Sequence, residues 1–125
     1  MSDFNDPTPI ATPEQYRAAL LAVRQRMTKV QLKMMQVHCR SIDHSSSTNR
    51  LAEAVGMPTP SYAKTAYSNY AHWIAHELKY APGPGTKNQM WLHSLAYLRE
   101  KTLDGQHEWI MRPELVVTLQ SMKWA

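Results

Sequence analysis

The chain has a single cysteine, Cys39, which excludes an intramolecular disulfide. It also lacks any apolar run approaching the length of a signal peptide or a membrane span, so a cytoplasmic protein with no membrane partner is expected. Charged residues make up only 19%, too few for a disordered chain, while hydrophobic residues at 43% are enough for a packed interior. In 125 residues that material predicts one core and one domain.

The constellations of an enzyme are missing as well. No nucleophile stands beside a base, and the acids form no spaced pair with an evident task. Gly83-Pro84-Gly85 has neither the glycine spacing nor the following lysine of a phosphate loop. A non-enzymatic protein is expected, with no catalytic residue, no metal and no cofactor. His72 and His76 stand four apart on one helical face, as two metal ligands would. Trp73 follows the first, where a zinc protease has glutamate, and no third ligand is identifiable, so they read as surface histidines. His38, Cys39 and His44 lack a matching Cys or His pair. Cys39, between His38 and Arg40, reads as a buried thiol rather than an activated one.

The scarcer charge is the negative one. Fourteen Lys and Arg against ten Asp and Glu give a formal net charge of +4 and a pI near 9.3, which favours a polyanionic partner. Arg17, Arg24, Arg26, Lys29, Lys33 and Arg40 lie between Glu14 and Arg40, where Glu14 is the sole acid.

Residues 1–11, with Pro7 and Pro9 among polar neighbours, read as a disordered leader, leaving 12–125 as the domain. Thr12-Pro13-Glu14-Gln15 opens a helix that the spacing of Tyr16, Leu20, Val23 and Met27 carries to about Arg26. Thr28-Lys29-Val30-Gln31 is a second capping box and implies a break at Thr28. Ser41 to Ser47 reads as a loop. Thr48 to Val55 is a short helix with Leu51, Ala52 and Val55 inward, stopped at Gly56, a residue suited to a left-handed cap. Met57-Pro58-Thr59-Pro60 turns the chain, and Ser61 is the expected cap of a longer helix from Tyr62 to about Leu78 or Tyr80.

Short helix, tight turn and longer helix is the order of a helix-turn-helix. Asp104-Gly105 signals a hairpin turn between strands expected at Leu95 to Lys101 and Glu108 to Met111, with a helical turn around Gln89 to His93. Pro113 to about Met122 is the last helix. The fold class is therefore mainly α with a small β-hairpin (α+β), a winged helix-turn-helix-like single domain.

Tyr62, Ala66, Tyr70, Trp73, Ile74 and Leu78 recur at helical spacing as the expected core face of the long helix. The polar face carries Lys64, Thr65, Ser68, Asn69, His72 and His76. Glu77 is the only carboxylate between Gly56 and Tyr80, an unusual bias for a merely solvated helix. Asn69 suits a bidentate contact to adenine, and Lys64 a guanine or a phosphate. Tyr67 is compatible with either the edge of this surface or the core.

With these residues in place, the chain resembles a domain found at the N-terminus of HNH restriction-type endonucleases. The resemblance rests on Tyr16-Arg17-Ala18-Ala19-Leu20, on Thr28 with Gln31-Leu32, and on Leu51-Ala52-Glu53-Ala54-Val55-Gly56. Further on it rests on Ser61-Tyr62, Tyr70-Ala71, Ile74-Ala75, Glu108-Trp109 and Met111-Arg112-Pro113-Glu114. It implies a DNA-recognition module that normally delivers a nuclease, but no His-Asn-His metal finger lies within the chain, so cleavage is not carried over. The expected function is sequence- or modification-sensing binding of double-stranded DNA, linked to restriction, defence or transcription regulation. The expected nucleic-acid contacts are Lys64, Thr65, Ser68, Asn69, His72, Arg50, Lys101 and Arg112. The alternative is a protein-protein adaptor or inhibitor of phage or mobile-element origin, for which eight methionines and four tryptophans would furnish an adaptable surface.

Overall fold

Capping chemistry decides where the helices of this protein begin. A computed structural model describes residues 8–57, 59–80, 88–99 and 108–125. Thr12 and Thr28 each accept from the backbone N–H three residues on, and the Gln15 and Gln31 side chains accept in return from the cap N–H groups. These boxes open α1 (Pro13–Val23) and α2 (Lys29–Arg40), so the break at Thr28 is real and α1 stops three residues earlier than expected. Ser47 caps α3 (Thr48–Val55), which ends at Gly56 with φ 71°; the Met57 N–H then reaches back to the Ala52 carbonyl at 2.9 Å. The cap of α4 (Pro60–Leu78) is Thr59 rather than Ser61, because Pro60 takes the first helical position, where a missing N–H leaves no partner unsatisfied.

The expected loop over Ser41 to Ser47 holds more structure than its composition suggests. It contains a 3₁₀ turn at Ile42–His44 and a two-residue strand, β1 (Ser45–Ser46). β2 (Ala96–Leu98) and β3 (Trp109–Met111) pair antiparallel in the register Ala96↔Met111, and β1 adds to the other side of β3. The hairpin expected at the C-terminal end is thus present with shorter strands, and its Asp104-Gly105 turn lies outside the described residues. A 3₁₀ segment, Asn88–Ser94, precedes β2, and α5 (Pro113–Ser121) follows β3 directly. The result is a mainly helical α+β fold with a small three-stranded antiparallel sheet.

α4 is the axis of the packing. α1, α2, α3 and the 3₁₀ segment all contact it. Its inward face is Ala63, Tyr67, Tyr70, Ala71, Ile74 and Ala75. That face is rotated from the expected one: Tyr62 is 62% exposed, and Ala66, Trp73 and Leu78 are half-buried. Tyr67 accounts for part of the rotation, because its hydroxyl is held in the core by His38. The Trp109 carbonyl can only accept, so His38 Nε2 carries the proton and donates to it at 2.7 Å, and Nδ1 accepts from Tyr67 Oη at 2.8 Å. One buried imidazole thereby ties α2 to α4 and β3. Burial pushes its pKa down to about 4, partly offset by the Trp109 hydrogen bond and reinforced by nearby His44.

A second network closes the other end. The Arg112 guanidinium is fully buried; Nε donates to the His93 carbonyl at 3.0 Å and Nη1 to the Thr8 carbonyl at 2.9 Å. Tyr80 hydrogen-bonds the His93 ring, and Tyr16 Oη donates to the Ser94 carbonyl at 2.7 Å. The last residues of the expected leader are therefore tied to the domain, with Ala11 buried as well; residues 1–7 lie outside the described residues. Among the described residues no helix is long and apolar enough to cross a membrane.

Candidate nucleic-acid interface

At 3.6 residues per turn, the exposed positions of α4 sort into rows. Ser61, Thr65, Asn69, His72 and His76 follow steps of three and four and lie along one stripe, with Tyr62 at its margin, and all six are exposed. The stripe carries hydroxyl, amide and imidazole groups and no carboxylate. Glu77, the helix's one acid, falls on a different row.

The expected polar face therefore divides. Thr65, Asn69 and His72 share the outward stripe, whereas Lys64 and Ser68 belong to a row that continues through Ala71 and Ala75. That row is buried from Ser68 onward, and Lys64 at its start is exposed. Ser68 is fully buried, with its hydroxyl unpartnered among the described residues, and cannot reach a base or a phosphate. Sequence polarity misplaced it because serine is small enough to fill a core position.

Two other expected contacts change role. Arg112, one of the expected nucleic-acid contacts, is fully buried, and its donors hold the His93 and Thr8 carbonyls. Arg50 is exposed and pairs with Glu108 through Nη1 and Oε1 at 2.9 Å. Lys101 lies outside the described residues.

Aromatic contacts flank the stripe. The His72 ring stacks on Trp91 with centroids 4.1 Å apart and planes 13° from parallel, which fixes the imidazole's orientation. The Arg26 guanidinium lies 5.0 Å from the centre of the Trp73 ring, bringing a cation from the α1–α2 connection to α4. Beside the first two turns of α4 runs a groove of about 630 Å³ between α2 and α4. Val30, Met57, Tyr62 and Ala66 supply its apolar wall, and Thr28, Thr59, Thr65 and Asn69 its polar rim. The Gln31 amide donates to the Ala66 carbonyl at 3.1 Å, fixing the two helices at the groove floor.

The cysteine and histidine candidates have structural surroundings. Cys39 is buried, and burial pushes its thiol pKa up despite the opposing effect of Arg40. Among the described residues no group of three or more His, Cys, Asp or Glu is placed to hold a metal ion. Sequence reasoning missed Ser61 and Tyr62 as members of the stripe, and Arg99 and Glu108 as an ion pair at 3.5 Å closing the hairpin. The expected strand ends and the Asp104-Gly105 turn would set Lys101, not Arg99, opposite Glu108, so the pair follows only from the observed register Leu98↔Trp109. No protein-family model, no curated protein and no solved structure matches this chain.

Proposed function

We propose that the chain is a duplex-DNA-binding module of the winged helix-turn-helix type. The element order supports this reading. Helix α2, the lone strand β1, α3, a short connection, α4 and then the β2–β3 pair follow one another, with β1 joined to β3. In such an arrangement α3 and the hairpin flank the long helix, which enters the major groove.

The observation that carries the proposal is the carboxylate-free stripe Ser61, Thr65, Asn69, His72 and His76. From Ser61 to His76 it runs about 22 Å along the helix axis at 1.5 Å per residue. A helix fits the roughly 12 Å wide major groove, and amide and hydroxyl side chains are the groups that read base edges there. Asn69, in the middle of the stripe, is assigned an adenine edge. Phosphates are assigned to Lys64 and Arg50, with Arg26 a further cation beside the stripe. Thr65 and His72 complete the base-facing set.

A mobility-shift assay at 50 and 200 mM salt tests this. Binding is expected to weaken steeply between the two, since each neutralised phosphate contributes about 0.9 to the slope of log K against log salt. Lys64→Ala is expected to weaken binding to all sequences alike, whereas Asn69→Ala relaxes the preference at one base pair. Methylated and unmethylated duplexes in parallel show whether the preference extends to base modification. Absence of salt-sensitive binding overturns the reading.

The apolar wall of the groove between α2 and α4 favours a second reading, a protein-protein adaptor that seats a partner's side chain there. Of the methionines, Met57 lines this groove, whereas Met34, Met35 and Met111 are fully buried in the core.

A further inference from the structure

Where α3 meets the hairpin, three charged side chains from separate elements converge. Glu108 precedes β3, and its side chain is 9% exposed. Arg50 of α3 reaches its Oε1 at 2.9 Å and Arg99, just after β2, reaches Oε2 at 3.5 Å. The backbone joins the last two as well, the Arg99 N–H donating to the Glu108 carbonyl at 2.8 Å. The two arginine side chains remain 59% and 45% exposed. A guanidinium has five N–H donors, and one carboxylate oxygen engages only part of each fork. These three residues line a cavity of about 400 Å³ that also includes Ser45 and Asp43. The Ser45 hydroxyl is buried there without a hydrogen-bond partner among the described residues.

We propose that this cavity seats a backbone phosphate of bound duplex, gripped by Arg50 and Arg99, with Glu108 as the positioning residue that holds both forks in place. The inference rests on the duplex-binding reading above and adds to it a site that spans α3 and the hairpin. Phosphate oxygens are acceptors only, so they match what the cavity offers: guanidinium N–H donors that the one carboxylate does not use. Geometry also separates the two carboxylates of the cavity. Glu108 is engaged by both arginines, whereas Asp43 is exposed and makes no ion pair among the described residues, so it acts on a phosphate only as a like charge.

The test turns on opposite signs. In a fluorescence-anisotropy titration of a labelled duplex across a salt series, Arg99→Ala is expected to lower the slope of log K against log salt by about one, and Arg50→Ala likewise. Asp43→Asn removes a negative charge and is expected to tighten binding. Glu108→Gln also removes one, yet is expected to weaken binding roughly threefold and to lower the slope, because the forks lose their anchor. A structural role alone would leave the salt slope unmoved. If Glu108→Gln and Asp43→Asn shift affinity in the same direction, Glu108 is a screening charge and the proposal is overturned. An unchanged slope in Arg99→Ala, whose exposed side chain can be removed without disturbing the core, overturns it too. If wild-type protein shows no salt-dependent duplex binding, the parent reading fails and takes this site with it. Salt-dependent binding with unmoved slopes in all variants removes this site alone.

Discussion

Acidification should destabilise this protein through His38. The imidazole is buried, its Nε2 donates to the Trp109 carbonyl, and its Nδ1 accepts from Tyr67, so a second proton has no place to go. Its pKa is about 4 in the fold against 6.5 for the free side chain. A folded pKa below the unfolded one means that the unfolded chain binds the proton more readily. Stability from this group is therefore fully present above pH 6.5 and lost as the pH falls from 6.5 toward 4. At 1.36 kcal/mol per pH unit, the loss between pH 7.5 and pH 4.5 is about 2.5 kcal/mol, a sizeable share of the stability of a small domain. Urea denaturation followed by tryptophan fluorescence at four pH values measures it. Wild type should lose about 2.5 kcal/mol more over this range than His38→Gln, whose amide does not titrate. Tyr67→Phe should lower stability by about 1 kcal/mol at every pH and keep most of the dependence. Equal pH slopes for wild type and His38→Gln would refute the assignment.

Three substitutions test other parts of the fold. Gly56→Ala should cost about 1 to 2 kcal/mol in a urea melt, because a Cβ there meets nothing within 4 Å and only the left-handed backbone at φ 71° resists it. Lys79, the left-handed cap of α4 at φ 57°, poses the converse case, and Lys79→Gly should gain about 0.5 kcal/mol in the same assay. Arg112→Met should cost about 2 to 4 kcal/mol by thermal or urea unfolding, since it removes the donors held by the His93 and Thr8 carbonyls. An effect under 0.5 kcal/mol would show that these bonds contribute little to the fold.

The elements legible in the sequence were those set by local chemistry. Two Thr-x-x-Gln boxes, a glycine stop at Gly56 and a proline start at Pro113 each act within four residues, so the helices fall close to where the pattern puts them. Long-range contacts were not legible. Ser45 and Ser46 become a strand only because β3 offers a free edge, and nothing in a run of serines announces that. The face of α4 was misjudged for a related reason. Tyrosines occur at 62, 67 and 70, and hydropathy cannot tell that Tyr67 has a histidine partner in the core while Tyr62 has none. Ser68 and Arg112 failed as interface residues because polarity signals exposure only when no buried acceptor or space accommodates the side chain. Thr65, Asn69 and His72 were placed correctly on the surface, since their three- and four-residue spacing survives a modest rotation of the helix.

The most direct test of the central claim is an anisotropy titration of duplex DNA with wild-type protein and with a Thr65→Ala, Asn69→Ala, His72→Ala variant. All three side chains are exposed, so the variant should retain the fold. The account predicts wild-type binding that falls steeply between 50 and 200 mM salt, and loss of sequence preference in the variant with its salt slope nearly unchanged. Identical preference in the two proteins, or no salt-sensitive binding by wild type, would contradict it.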